Sequence, residues 1–274
     1  MNKRETLKIL HNCVMLYDTN LKNNNIMFVI ENKKSPTIKE SISFIETIYY
    51  PHNFLHLTGL KYQPQDKNIV SKYQIATDFY KKLIQQKLPL SSIEYINPFT
   101  TELKLGILHH LGNIDKSAKF LGNYNNNIKD KLYTEKVVGN VSYCFGFVKD
   151  SASNYFYVPN STIKENIKNI TDDTCNIIAI LKKEKSKEFY SSITYLKNNI
   201  DLNCLLRNDN LANLIDFEHI EFANNDDVKN VVKVNGFKQE LIDIVNKISQ
   251  EDVVENDNQA IEENKFDFDP SDEF

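Results

Sequence analysis

The chain has 274 residues, of which 41% are hydrophobic and 26% charged, with 16 Phe, 14 Tyr and no Trp. Seven Gly and seven Pro exclude collagen-like and Gly/Pro-rich chains, and no apolar run approaches the roughly 18–20 residues of a membrane-spanning helix. The net charge of −4 hides an asymmetry: Glu251 to Phe274 holds ten acids and one base, net −9, so the first 250 residues carry +5.

In chain order, Lys3 to Leu21 places Leu7, Leu10, Val14, Leu16 and Tyr17 near helical spacing. Ile26 to Ile30 is a short strand candidate, and Ser41 to Tyr49 alternates as a second one. Ile75 to Gln86 has an amphipathic helical period that ends before Pro89, and Thr101 to Leu111 continues as another helix. After about Gly122 the character changes. Lys131 to Val138, Val141 to Val148 and Asn154 to Val158 are short, aromatic and β-branched, with turns between them. A short helix is expected from about Thr162 to Ile170, then a strand from Cys175 to Leu181. Phe189 to Asn198 and Phe237 to Ile248 read as helical. The order of helices first and antiparallel strands second predicts an α+β fold, with N-terminal helices packed on a small antiparallel sheet. The expected divisions are an N-terminal helix and strand over 1–37, a main domain over 38–185, a helical appendage over 186–250 and a disordered acidic tail over 251–274.

Met1 to Leu10 is polar and lacks the apolar centre of a signal peptide, so a soluble, cytoplasmic protein without membrane contact is expected. Cys13, Cys144, Cys175 and Cys204 are far apart and form no CxxC, which points to reduced, mostly buried cysteines. Neither the four Cys nor the six His show metal-ligand spacing, so no metal or cofactor is expected. There is no phosphate-binding Gly-rich loop, no Rossmann glycine pattern, no HExxH and no GxSxG. Sites assembled from scattered residues remain open. The acidic tail reads either as a solubilising segment or as a competitor for a polyanion-binding surface.

The stretch His52 to Leu60 draws the eye first. If Phe54 to Thr58 is extended, His56 and Thr58 share one face, and Gly59 allows a tight turn after them. An imidazole suits proton transfer near neutral pH; the alternative is a histidine bonded to neighbouring backbone. Tyr155 and Tyr157 share a strand face, as either site or packing residues. Asn160-Ser161 offers a helix N-cap. Leu132 to Lys136 ends at a basic residue, and Lys182-Lys183 reads as a solvated strand end. His109 and His110, adjacent on a helix, point about 100° apart and read as surface or partly buried.

His56-Leu57-Thr58-Gly59, Phe79-Tyr80-Lys81-Lys82, Lys104-Leu105, Thr134 to Gly139, Tyr155 to Ser161 and Ile178 to Lys183 occur in an order that resembles a known family. It is the fourth phage type of the nuclease domains grouped with barnase, EndoU, colicin and RelE, and the resemblance covers about residues 38 to 185. It implies RNA as substrate, with tRNA a candidate, and metal-independent cleavage by 2'-hydroxyl attack on the adjacent phosphate. His56 would be the general acid or base. Thr58 and Ser161 would donate to phosphate, Lys136 would stabilise developing charge, and Tyr157 would complete the catalytic set. Tyr155, Asn160 and Lys182 would bind substrate. Two other classes stay open: a catalytically inactive nucleic-acid-binding module, and a protein-interaction inhibitor of a host defence system. A host or antitoxin protein is accordingly a second candidate partner.

Overall fold

The structure is a computed structural model that describes residues 1–32, 41–127, 132–198, 200 and 202–223. The chain divides into two compact units, Met1–Ile215 and Asp216–Phe274. The first opens with helix α1 (Lys3–Asn20), started by a capping box in which Asn2 accepts from the Arg4 and Glu5 amides and Glu5 accepts from the Asn2 amide. Its buried stripe is Leu10, Cys13, Val14 and Tyr17, one face at helical spacing. Strands β1 (Asn24–Glu31) and β2 (Ile42–Ile48) follow, then the short helix α2 (Asn53–Thr58) and strand β3 (Leu60–Tyr62). Helix α3 (Lys72–Ile84), strand β4 (Ile93–Tyr95), helix α4 (Pro98–Leu108) and the single turn α5 (Ile114–Ser117) complete the N-terminal half. Strands β3 and β4 pair with each other in a small separate sheet.

The C-terminal half supplies β5 (Phe120–Asn123), β6 (Lys136–Gly139), β7 (Cys144–Lys149), β8 (Tyr157–Ile163), the turn α6 (Ile167–Ile170), β9 (Cys175–Glu184), β10 (Ser192–Leu196) and α7 (Asp209–Ala212). Seven strands close into a barrel in the order β1-β2-β8-β7-β6-β5-β9, and β9 returns to β1. The pairing of β1 with β9 runs from Asn24–Glu184 to Glu31–Asn176. β10 adds to β9 outside this ring. One join is thin: β2 and β8 share a single parallel pair, Thr47 with Tyr157. Beyond it, α2 packs against β8.

This corrects the expectation of helices packed on a small antiparallel sheet. β1 and β2 arise among the N-terminal helices but join the later strands, so the two halves are interleaved rather than sequential. Three local readings change with it. Phe54 to Thr58 is helical, not extended. The helix expected from Thr162 to Ile170 shrinks to Ile167–Ile170, because β8 runs on to Ile163. Phe189 to Asn198, expected as helix in an appendage, contains strand β10, which finds ladder partners on β9. The helix expected over Phe237 to Ile248 and the acidic tail lie outside the described residues. In the second unit the described residues hold the short strand β11 (Glu221–Phe222) and a turn where His219 Nδ1 lies 3.0 Å from Asp216 Oδ2.

The main core joins one face of the barrel strands to the helices. Ile26, Phe28, Val138, Phe145 and Phe147 pack with Leu10, Val14, Phe54, Phe79 and Leu105. At its centre Tyr17 sits edge-on to Tyr49, Phe54 and Tyr80, at ring separations of 6.0, 5.3 and 6.0 Å. Burying each such ring contributes about 1.5–3 kcal/mol. The Tyr17 hydroxyl donates to the Tyr50 carbonyl at 3.0 Å, and the Tyr80 hydroxyl to Asp18 at 2.6 Å. This cluster fixes α1, α2 and α3 around the residues that follow β2.

Candidate active site

Helix α2 carries the site. Its C-cap Gly59 is left-handed at φ 73°, the conformation glycine adopts without a Cβ penalty. A Cβ there would come within 3.1 Å of Thr101 Oγ1 and 3.2 Å of Lys104 Cδ. The Thr101 hydroxyl donates to the Gly59 carbonyl at 2.7 Å. The missing side chain therefore lets α4 approach and lays the Lys104 stem beside the end of α2.

His52, the N-cap of α2, and His56 within it are four residues apart, so one helical turn brings them to the same side. Burial holds His56 below the ordinary histidine range, and the positive charges of Lys72 and Lys104 lower it further. His52 is lowered by burial and then by His56, while Asp150 pulls the other way. Lys104 is itself lowered by burial. The His52 ring stacks on Tyr50 at 5.2 Å and 13°, and Tyr73 lies tilted against it at 4.6 Å. The Tyr50 hydroxyl donates to Asp150 Oδ2 at 3.4 Å, which brings the β7–β8 hairpin to the same place. Two imidazoles that favour the neutral form, two ammonium groups, a carboxylate and two phenols thus converge from α2, α3, α4 and the hairpin. Proton transfer and anion binding are the chemistry such a set can perform.

The residues singled out in sequence are spread more widely. His56 is at the centre of this group: the side of it that meets its neighbours is desolvated, while the rest stays open to solvent. Thr58 is fully buried: its hydroxyl donates to the Leu55 carbonyl at 2.8 Å and accepts from the Leu60 amide at 3.1 Å. Tyr157 sits at the thin join, half-buried and raised by burial and by Glu135. Tyr155, in the hairpin, is raised by burial and by the neighbouring Glu46 carboxylate. Lys136 pairs with Phe147, so it lies on the core face of the sheet, where its ammonium donates to Asn123. Ser161 pairs with Gly146 on the other face, and a Cβ on Gly146 would meet Ser161 Cβ at 3.1 Å. Lys136 and Ser161 are therefore not brought together. Ser161 is in a strand and caps no helix. The Asn160 amide donates to the Tyr133 carbonyl. Lys182 lies 3.3 Å from the buried carboxylate of Asp115.

His52, Tyr50, Tyr73, Lys72 and Asp150 were missed in sequence. The His-x-x-x-His spacing was the available signal, and it has meaning only on a helix. Among the described residues no group of three or more His, Cys, Asp or Glu is placed to hold a metal ion. No described helix is long and apolar enough to cross a membrane.

Barrel and site together define a class: a closed ring of strands flanked by helices, one of which bears paired imidazoles among cationic groups. The chain belongs to the family described as phage-Barnase-EndoU-ColicinE5/D-RelE like nuclease4, which matches residues 9–199. That match takes in most of α1 and all of β1, ahead of residue 38, where the resemblance read from the motifs begins, and it runs on through β10. The protein is thus a nuclease-family member, and a nucleic acid is the substrate class that membership points to. No curated protein and no solved structure matches the chain.

Proposed function

We propose that this protein is a metal-independent endoribonuclease of a phage or mobile element. The 2'-hydroxyl of RNA attacks the adjacent phosphate and the 5'-oxygen leaves. The observation that carries the reading is the one-turn pairing of His52 and His56, both held below the ordinary histidine range, beside Lys72 and Lys104. The reaction needs a base, an acid and donors for the phosphorane oxygens. A neutral His56 takes the 2'-hydroxyl proton. The charge of His56 disfavours a charge on His52, and the proton taken from the 2'-hydroxyl passes by way of His52 to the departing 5'-oxygen. Lys72 and Lys104 face the phosphate. In this reading the cationic role passes to them from Lys136 and Lys182, and Thr58 keeps the end of α2 in place. Tyr155 and Tyr157 remain substrate contacts on the flanking hairpin and strand.

The test is cleavage of total RNA by purified wild type, His56→Ala and His52→Ala. Each variant should lose about 10²–10⁴-fold in rate. Cleavage equal to wild type by both would remove the imidazoles from the mechanism. Salt-dependent RNA binding without product by wild type would select the inactive binding module instead.

A further inference from the structure

A cavity of about 310 Å³ lies along the outer face of α3, lined by Ile69, Tyr73, Gln74, Thr77, Asp78 and Lys81. Its volume falls in the range of small-molecule pockets, about 300–1,000 Å³. Tyr73 belongs both to this cavity and to the site, because its ring also rests against His52 at 4.6 Å. It is 62% exposed, so much of the residue stays open to a ligand. The polar lining is only partly occupied. Gln74 uses its carbonyl oxygen on the α3 cap, accepting from the Ser71 amide at 3.2 Å and hydroxyl at 3.0 Å, which leaves its amide nitrogen as a donor for a ligand. Asp78 receives the Tyr62 hydroxyl at 2.5 Å on Oδ2, and Oδ1 keeps its lone pairs. The Thr77 hydroxyl oxygen is buried and has no hydrogen-bond partner among the described residues, a condition that costs free energy until a partner arrives.

We propose that this cavity is a subsite for one unpaired nucleobase of the strand whose phosphate lies at His52 and His56. The inference rests on the nuclease reading above and adds the form of the substrate: single-stranded, with a base turned out of its stack onto Tyr73. Stacking gives the affinity. Asp78 as acceptor beside the Lys81 ammonium and Gln74 amide as donors favours a base with an amino group next to a carbonyl or ring acceptor, which cytosine, adenine and guanine present and uracil does not. A duplex cannot reach the cavity without extruding a base, which weakens its binding relative to a single strand.

The experiment uses the full-length chain and fluorescently labelled 2'-O-methyl RNA oligonucleotides, which cannot undergo 2'-hydroxyl attack. Wild type should bind cytosine-rich single strands more tightly than uracil-rich ones and than the matched duplex. Tyr73→Ala should weaken single-strand binding by about 10- to 100-fold, the loss expected for one stacked base, whereas Tyr73→Phe should restore it. Asp78→Asn should level the preference for cytosine over uracil and leave stacking intact. Melting temperatures close to wild type check that the Tyr73 variants are folded. Binding unchanged in Tyr73→Ala, or no preference for single strands, overturns the subsite. Unmodified RNA tested in parallel separates the two claims. Tyr73-dependent binding without cleavage keeps the subsite and removes the nuclease reading, and cleavage with Tyr73-independent binding does the reverse.

Discussion

At the scale of single residues, the proposed site rests on two histidines whose surroundings disfavour their charge. Burial is the first cause for both, and the nearby ammonium groups and the other imidazole add to it. The sign of the pH dependence follows. A neutral base is needed, and the native histidines stay neutral below their ordinary range. kcat/KM should therefore stay high as pH falls through about 6.5, the unfolded value, and decline only beneath it. Stability moves in the same direction. Just below 6.5 the unfolded chain binds protons that the native chain does not, so stability is full above 6.5 and is lost on acidification toward the native values. Urea midpoints at pH 7 and pH 5.5 check this, and the difference should shrink in His52→Gln/His56→Gln. A midpoint independent of pH would show that the two imidazoles are not disfavoured by the fold.

At the scale of elements, α2 decides how much of the site could be read from the sequence. Leu55 and Leu57 alternate with His56 and Thr58, a pattern that suits a strand. Only six residues long, the segment has too little length for a helical period to show. What makes it helical is tertiary: Phe54 packs on Tyr17 and Tyr80, and Gly59 ends the turn. His56 stands out in the sequence because an imidazole beside a Gly turn is visible in any conformation, whereas the relation of His52 to His56 exists only in a helix. Lys72 and Lys104 come from helices α3 and α4, and no spacing along the chain announces them. The longer elements α1, β1, β2, α3, α4 and β9 were legible because each repeats its period several times or is bounded by turn residues. Gly59→Ala tests the element directly. An L residue in the left-handed region costs about 1–2 kcal/mol, and the contacts with Thr101 and the Lys104 stem should add to it. Chemical denaturation should show the loss, and RNA cleavage should fall more than stability because Lys104 is displaced. A variant as stable and active as wild type would show that α4 does not depend on that close approach.

At the scale of the whole molecule, ring closure was not readable at all. It rests on β1 pairing with β9 across about 150 residues of chain, and neither strand's own sequence encodes that partner. The same long-range assembly gives Lys182 a partner in Asp115, a carboxylate 3% exposed. Lys182→Met should cost roughly 1–3 kcal/mol or more by leaving that charge unpaired, with kcat/KM on RNA unchanged. A large fall in kcat/KM at unaltered stability would instead return Lys182 to the substrate. The single Thr47–Tyr157 pair between β2 and β8 has a consequence for cooperativity. A ring stapled by one residue pair at one place opens there first, since local stability follows the density of ladder bonds. The helix next to that gap is the one that bears His56 and is capped by His52. Titrated with urea, enzymatic turnover should vanish at a lower concentration than the far-ultraviolet signal of the strands, so that the protein is switched off by unlatching well before it melts.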